Sequence, residues 1–242
     1  MRFVDRFDVL LLDMGNTFMF GCDRFSEDVA ATYAALGGRA LSAAQVRGAI
    51  DALHAGLLAL GRSGDRDDSF PRVGEHLADL PATRGLPAAE RDLLAQTFAL
   101  HEVGTIGPFH ADVLRRLAET HRLGVISNVW SDSWVFAAEF RRAGIDGLFD
   151  TVVFSSDHGS IKPSLRLFDR AVEAMACERS RVVYIGDSLS RDVAGAAGAG
   201  IASVWVNASG ASRPGDAPRP DLEIRCLSEL LKDGPRTQSG GR

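Results

Sequence analysis

The sequence has little lysine, little cysteine and no long apolar run, and each scarcity excludes a class of chemistry or structure. Of its 27 basic residues, only Lys162 and Lys232 are lysines, so a mechanism that requires a lysine has two candidates. The three cysteines, Cys22, Cys177 and Cys226, are widely spaced and form no CxxC pair. A disulfide framework or a zinc site is therefore not indicated, and we expect these thiols to be small buried apolar groups.

The apolar run near the N-terminus spans only a few residues before Asp13. It is too short for a signal peptide or a membrane span, so we expect a cytoplasmic protein with no membrane partner. The net charge is -5 without a long run of either sign, a balance that does not favour a nucleic-acid partner. With 242 residues, 45% of them hydrophobic, the chain can bury one core and a smaller inserted unit.

Short apolar runs bounded by Gly, Asp, Ser or Asn are typical of strands that are buried on both faces. They cover residues 9–12, 124–126, 151–154, 182–185 and 203–206, with a further short strand over 222–225. Helical patterns lie between most of them, over 112–120, 131–143, 165–176 and 190–199. This alternation predicts the α/β class, with a Rossmann-like, doubly wound parallel sheet.

The segment of residues 18–107 is too long for a single crossover and has helical patterns of its own. They cover residues 26–36, with Glu27 and Asp28 in the first turn, and residues 42–60 and 90–100. Residues 61–69 and 207–220 read as loops, and a helix is expected from Ser228. We therefore predict a core domain of residues 1–17 and 108–233, a helical cap of residues 18–107 and a flexible tail of residues 234–242.

Polar side chains follow four of the predicted strands. In open α/β sheets ligands bind outside the carboxyl ends of the strands, so residues at these positions converge on one edge. The residues are Asp13 to Thr17 after the first strand, Ser127 and Asn128 after the second, Lys162 beyond the third, and Asp187, Ser188 and Asp192 after the fourth.

This set of side chains suits phosphoryl transfer. Asp13 can attack phosphorus and form an acyl phosphate. Asp13 and Asp187 together can hold Mg²⁺, which prefers oxygen ligands. Ser127 and Lys162 can donate hydrogen bonds to the phosphoryl oxygens, and the lysine can also neutralise charge that develops in the transition state.

The order Asp13, Ser127, Lys162 and then Gly186-Asp187 with Asp192 resembles the four motifs of the haloacid dehalogenase superfamily, over residues 9 to about 206. The resemblance implies that Asp13 is the nucleophile and that Ser127 and Lys162 bind the leaving or transferred group. It also implies a cap between the first and second motifs.

The same resemblance implies a magnesium site and a small anionic substrate. The metal would be held by Asp13, Asp187 and the backbone carbonyl of Gly15, with Asp192 and Ser188 in support. Candidate substrate contacts are Asn128, Thr17 and Arg24, although a solvated arginine explains Arg24 equally well.

One position departs from the pattern of the family's phosphatases. These carry a second aspartate two residues after the nucleophile, which protonates the leaving group and then activates water; here that residue is Gly15, followed by Asn16 where the family usually has glycine. Acid–base assistance is worth about 100- to 10,000-fold in rate. Asp23, Glu27, a histidine or the substrate itself are the candidates to replace it.

Three alternatives follow from the missing aspartate. A phosphonoacetaldehyde hydrolase would need a cap lysine, and residues 1–161 contain none. The pair Ser127-Asn128 and the position of the cap are compatible with a 2-haloacid dehalogenase, but such an enzyme has no need for the acidic fourth motif. A ligand-binding or regulatory protein with weakened catalysis is the third alternative. The leading interpretation is a magnesium-dependent phosphohydrolase.

Overall fold

The computed structural model describes residues 1–232, and within them six parallel strands form one sheet. The strand order is β3-β2-β1-β4-β5-β6, which confirms the predicted doubly wound α/β fold. The order reverses between β1 and β4, so the carboxyl ends of these two strands border the crevice where such folds bind ligands. The strands are β1 (Val9–Leu12), β2 (Arg122–Ser127), β3 (Phe149–Phe154), β4 (Val182–Gly186), β5 (Ala202–Val206) and β6 (Leu222–Ile224).

Five helices lie between β1 and β2, of which the first four form a group, and the later helices lie between the strands that follow. The helices are α1 (Val29–Ala35), α2 (Ala43–Ser63), α3 (Val73–Asp79), α4 (Ala88–Glu102), α5 (Pro108–Ala118), α6 (Trp134–Ala143), α7 (Ser155–His158), α8 (Leu165–Met175) and α9 (Ala194–Gly198). Short 3₁₀ helices cover Phe3–Arg6, Arg179–Arg181 and Leu227–Leu231, and a π-helical turn covers Leu189–Val193.

The sheet buries both of its faces under helices. Leu10 and Leu12 of β1 belong to one apolar cluster, and Val9 and Leu11 belong to another, because successive side chains of a strand point to opposite faces. Helices α5 and α6 pack in the first cluster, and α8 and α9 pack in the second. Burial on both faces explains why the central strands are continuous apolar runs.

Helices α1 to α4 surround a third apolar cluster that is separate from the two sheet clusters. Tyr33, Ile50, Leu53 and Phe98 are fully buried within it, and Ile161, from the loop after α7, joins it from the sheet side. The helical segment therefore packs over the carboxyl edge of the sheet. The division into a core of 1–17 and 108–233 and a cap of 18–107 remains a prediction, which this separate cluster favours.

The helical segment leaves and rejoins the rest of the chain at one place. The backbone N–H of Phe20 donates to the carbonyl of Thr105 at 3.0 Å, and the N–H of Thr105 donates to the carbonyl of Phe20 at 2.7 Å. The close approach of these segments requires glycine at position 104, because a Cβ there would lie 2.6 Å from the Phe20 carbonyl oxygen. The two connections are thus held side by side, close to the predicted boundaries at 18 and 107.

Several local features differ from the sequence-based expectations. Helix α1 begins at Val29, and Asp28 lies before it as the N-cap, accepting hydrogen bonds from the N–H groups of Ala30 and Ala31. Helix α2 runs to Ser63, into the expected loop of 61–69, and α3 was not expected at all. The expected helix of 190–199 opens with a π-helical turn, and the one from Ser228 is a 3₁₀ helix.

The cysteines and the apolar segments can be compared with what their scarcity predicted. Cys22, Cys177 and Cys226 are free thiols, and they are half-buried rather than buried as expected. Among residues 1–232, no helix has the length and apolarity that are needed to cross a bilayer. The expected flexible tail of 234–242 lies outside the described residues.

Candidate active site

Four polar side chains from separate parts of the chain meet at the carboxyl edge of the sheet. Asp13 directly follows β1, Asp187 directly follows β4, and Ser127 is the last residue of β2. Lys162 lies in the loop between α7 and α8. All four line one pocket, which we call the acidic pocket.

Asp13 is the buried centre of this pocket. Only 6% of the residue is exposed, and its Oδ1 accepts hydrogen bonds from Lys162 Nζ at 2.5 Å and from Ser127 Oγ at 3.1 Å. Both bonds reach the same oxygen, so Oδ2 is left for a ligand. Because a buried charge is costly unless it is paired, the lysine favours the ionised form of Asp13 and opposes the effect of burial.

A second carboxylate fixes the lysine. Asp192 Oδ1 lies 2.8 Å from Lys162 Nζ, which also donates to the Tyr184 hydroxyl at 2.8 Å. The other oxygen of Asp192 accepts the backbone N–H of Ser188 at 2.8 Å. Asp192 therefore positions Lys162 and closes the turn after β4, and both of its oxygens are already used.

Oxygen donors suited to a divalent cation lie beside the nucleophile. Ligand oxygens of Asp13, Asp187 and Asp192 all lie within 4.8 Å of one another. Asp187 Oδ2 accepts a 3.2 Å hydrogen bond from Asn16, and its second oxygen is free of that bond. A hard cation such as Mg²⁺ takes this kind of all-oxygen set. Because Asp192 is engaged with Lys162, Asp13 and Asp187 are the better candidates to hold it.

Burial and crowding of like charges shape the electrostatics of the pocket. Burial, with the nearby Asp192 and Asp187 carboxylates, raises the pKa of Asp13 to about 7 despite the opposing effect of Lys162. Burial and Asp192 likewise raise the pKa of Asp187. Burial lowers the pKa of Lys162, but the Asp13 and Asp192 carboxylates outweigh it, so that pKa is raised. The pocket has more negative than positive groups, an imbalance that a divalent cation would correct.

The loop after Asp13 has one residue in the left-handed conformation, and it is not Gly15. Asn16 has a φ of 53°, which asparagine tolerates better than most residues. A Cβ built on Gly15 would meet nothing within 4 Å. The backbone therefore does not require glycine at position 15, and the space beside it is open.

That open space joins the acidic pocket to a second cavity of about 270 Å³, which we call the apolar cavity. Gly15, Asn16, Ser127, Asn128 and Arg191 line both. Most of the remaining wall is apolar and comes partly from the helical segment. It includes Phe25, Leu57, Leu58, Trp130, Phe136 and Ile161, together with the polar residues Cys22, Asp23, His54 and Glu102.

Most of the residues predicted for the site line the acidic pocket, but two lie elsewhere. Thr17 belongs to the tight turn after Asp13, its hydroxyl is buried without a partner, and it lines neither cavity. Arg24 donates to the backbone carbonyl of Leu100 at 2.7 Å and also lines neither cavity. The predicted residues that line the acidic pocket are Asp13, Gly15, Ser127, Asn128, Lys162, Asp187, Ser188 and Asp192.

Sequence reasoning missed three residues of the site: Arg191 and His54, which line the cavities, and Tyr184, which accepts a hydrogen bond from Lys162. Tyr184 was absorbed into the apolar run of β4, where it is the one side chain with a hydroxyl. Arg191 directly precedes Asp192 in the fourth motif. His54 begins a cavity-lining face of α2 that continues with Leu57, Leu58 and Gly61, and this i, i+3, i+4, i+7 spacing was the available signal.

Comparison with known proteins finds a family model and curated relatives that match part of the chain by sequence. The family model described as haloacid dehalogenase-like hydrolase matches residues 102–206. The pyrimidine 5'-nucleotidase YjjG of Escherichia coli is 34% identical over 133 residues, which cover 54% of this chain and 58% of that protein. The glyceraldehyde 3-phosphate phosphatase of Methanothermobacter thermautotrophicus is 38% identical over 114 residues, 47% of each. The chain thus spans about half the length of the curated relatives it matches.

A solved structure resembles the chain over nearly its whole length. The 2-haloacid dehalogenase of Pseudomonas syringae pv. Tomato DC3000 superposes with a TM-score of 0.67, covering 93% of this chain and 96% of that one, at 23% identity. At this identity the likeness concerns the fold alone. It agrees with the strand order described above.

We expect Mg²⁺ to stabilise the protein, because a cation that binds the folded pocket and not the unfolded chain shifts the folding equilibrium. At 100 times its dissociation constant the shift is about 2.7 kcal/mol. Thermal melting with and without Mg²⁺ measures it, and Asp187→Asn should remove it. Asp216→Asn, which changes an exposed carboxylate that lines neither cavity, is the control and should keep it. Equal melting shifts in the two variants would contradict the site.

We also expect the stability of the metal-free protein to fall as pH rises from about 4 to 7. The raised pKa of Asp13, about 7, means that the folded state binds a proton across this window and the unfolded state does not. Stability is therefore greatest below the unfolded value and declines towards the folded one. Urea unfolding at several pH values, in the presence of a chelator, should show a flatter dependence for Asp13→Asn than for wild type. An unchanged slope in the variant would be the contrary result.

Proposed function

Because the chain belongs to the haloacid dehalogenase superfamily, we propose that it is a magnesium-dependent phosphohydrolase that acts on a small, anionic phosphate monoester. The observation that carries the proposal is the buried Asp13 carboxylate, with Oδ1 held by Lys162 and Ser127 and Oδ2 left for a ligand. A restrained carboxylate beside a buried ammonium group suits nucleophilic attack on an anion that would otherwise be repelled.

The residues of the acidic pocket have separate roles in phosphoryl transfer. A carboxylate oxygen of Asp13 attacks phosphorus, the bond to the leaving oxygen breaks, and an aspartyl phosphate forms. Ser127 Oγ and Lys162 Nζ donate to the phosphoryl oxygens, where negative charge develops. Water then releases phosphate and restores the carboxylate.

Asp13, Asp187 and the Gly15 carbonyl are the groups that would hold Mg²⁺, and its positive charge would offset the charge of the phosphoryl group. The lysine, kept cationic by Asp13 and Asp192, is oriented before the substrate arrives, so little reorganisation is needed at the moment of reaction. Asn128 exchanges two hydrogen bonds with the backbone of Lys162, at 2.7 and 3.2 Å, and so fixes the loop that carries it.

The names of the relatives favour phosphate monoesters of small metabolites, since the two sequence relatives described above are a nucleotidase and a sugar-phosphate phosphatase. The apolar cavity next to the acidic pocket has room for the organic part of such an ester.

A 2-haloacid dehalogenase is the second candidate. The missing carboxylate at Gly15 and the apolar cavity beside the nucleophile favour it, because carbon–halogen displacement needs neither an acid for the leaving halide nor a cation. The cluster of Asp13, Asp187 and Asp192 favours the phosphohydrolase, because a nucleophilic carboxylate beside two others suits an attack on phosphate only when a cation is present.

Hydrolysis assays discriminate between these candidates. Phosphate monoesters, phosphonates and 2-haloacids are offered with Mg²⁺ and with a chelator, and Asp13→Asn is the blank. We expect phosphate release with Mg²⁺ that the chelator and the Asp13 variant both abolish. Consumption of 2-haloacids in the chelator, with no phosphate ester hydrolysed, would replace the proposal by the dehalogenase. Tight retention of a phosphorylated ligand without turnover would favour a binding protein.

Gly15→Asp should raise the activity on poor leaving groups. The space at position 15 is open and the backbone there is unstrained for a side chain, so the new carboxylate can enter without displacing neighbours. Acid–base help is worth at most about 100- to 10,000-fold, and we expect the lower end because no neighbouring group was selected to orient this carboxylate. The measurement is kcat/KM for alkyl phosphates and for p-nitrophenyl phosphate, whose leaving group needs little protonation.

The matched control is Gly48→Asp, an exposed glycine of α2 that also has nothing within 4 Å of its Cβ position. It should leave both substrates unaffected. A fall in activity with Gly15→Asp would show instead that the cleft is shaped around glycine.

A further inference from the structure

The open space at Gly15 raises the question of which group supplies the missing proton. A leaving group that extends from the acidic pocket past Gly15 enters the apolar cavity, because Gly15 lines both. The proton donor is therefore expected on the wall of that cavity. Its titratable side chains are Cys22, Asp23, His54, Glu102 and Arg191.

Three of these five are unsuited to proton transfer. Glu102 is buried, and its two oxygens accept the backbone N–H groups of Trp130 and Ser131 at 2.7 and 2.8 Å, so it holds the loop after β2. Burial raises the pKa of the Cys22 thiol to about 11, which leaves it a weak acid. Arg191 does not give up a proton in proteins. Asp23 and His54 remain.

His54 has an unused nitrogen and a fixed orientation. Its Nε2 is buried and forms no hydrogen bond, and the nearest carboxylate oxygen, Asp23 Oδ1, lies 3.5 Å away. The ring stacks on Phe25 with centroids 4.4 Å apart and meets Trp130 edge-on at 5.5 Å. A buried donor or acceptor without a partner is unfavourable, so Nε2 is available to pair with a bound ligand or water.

The electrostatic setting suits a group that changes its charge. Asp23 is largely exposed, with 61% of its side chain accessible, and its carboxyl group lies close enough to stabilise a positive charge on the imidazole of His54. Histidine is the side chain whose charge changes most readily near neutral pH. His54 belongs to α2, and Leu57 and Leu58, one turn further along this helix, line the same cavity.

We propose that His54, assisted by Asp23, supplies the acid–base function that the residue at position 15 does not. The proposal rests on the phosphohydrolase function proposed above. It places the proton donor on the helical segment and the nucleophile on the sheet, with the leaving group between them. It also favours substrates whose leaving group has an apolar or planar part, since Phe25, Leu57 and Trp130 form the surrounding wall.

The proton balance of the two steps is as follows. When Asp13 attacks phosphorus and the bond to the leaving oxygen breaks, Nε2 of the protonated His54 gives its proton to that oxygen. When water attacks the aspartyl phosphate, its proton passes to the neutral Nε2 as the bond from phosphorus to Asp13 breaks. The sum is ester plus water to alcohol plus phosphate, and both side chains return to their initial states.

The first test compares His54→Asn with His76→Asn. His76 also has a buried Nε2 without a partner, but it lines neither cavity, so the two changes are chemically matched. With Mg²⁺ present, kcat/KM is measured for esters of increasing leaving-group pKa. We expect His54→Asn to lose about 100-fold on alkyl phosphates and less than about 10-fold on p-nitrophenyl phosphate. His76→Asn should follow the leaving-group dependence of wild type.

The second test is rescue by the aspartate that the family's phosphatases carry. In the His54→Asn background, Gly15→Asp should restore activity on alkyl phosphates by a larger factor than it adds to wild type, because the two groups would serve the same step. If His54→Asn does not fold, as judged by circular dichroism, Asp23→Asn replaces it. That change at an exposed residue should steepen the leaving-group dependence in the same direction by a smaller factor.

Each outcome bears on one proposal or on both. An active wild type whose leaving-group dependence is unchanged by His54→Asn and by Asp23→Asn overturns the role of His54 and leaves the phosphohydrolase intact. A uniform loss on all esters, without rescue by Gly15→Asp, also overturns it, because the histidine would then act in binding or folding. A wild type that hydrolyses no phosphate ester overturns both.

Discussion

The ion pair between Asp13 and Lys162 is the interaction on which the rest of the site depends. Both side chains are almost fully buried, so each charge is tolerated only because the other is present. Ser127 donates a further hydrogen bond to Asp13 Oδ1, and Tyr184 and Asp192 contact the ammonium group of Lys162. These groups come from β1, β2 and β4, the three central strands of the sheet, and from the loops that follow β3 and β4. The strand order is thus the physical reason why residues far apart in sequence share one hydrogen-bonded cluster.

The loss of a side chain at Gly15 changes more than a catalytic group. It leaves open space beside Gly15, where the acidic pocket and the apolar cavity adjoin. The left-handed Asn16 lets the loop keep its turn, with its amide on Asp187. Under the functions proposed above, the nucleophile stays in the core and the proton donor lies on α2, so that both parts of the molecule are needed for turnover on an ordinary alkyl ester.

The sheet and the residues at its edge could be predicted because both follow from local rules. Buried parallel strands are continuous apolar runs, and the residues after them meet at one edge whatever the intervening helices do. The rest depends on contacts between distant segments. Thr17 and Arg24 lie near the nucleophile in sequence, but a tight turn and a bond to Leu100 carry them away from both cavities. His54 reaches the apolar cavity only because α2 packs over the sheet. Its proposed role has no sequence signature beyond the helical spacing of the residues on that face of α2.

The paired backbone of Phe20 and Thr105 has a consequence for how such a protein diversifies. Because the two ends of the helical segment are joined by reciprocal hydrogen bonds, the segment is attached like an insertion whose termini are neighbours, the arrangement in which one module is most easily exchanged for another. A different helical segment with adjacent ends could be grafted there without disturbing the register of the sheet or the Asp13–Lys162 pair. The side of the apolar cavity that the helical segment forms can therefore vary while Asp13, Lys162 and the strands that position them stay the same.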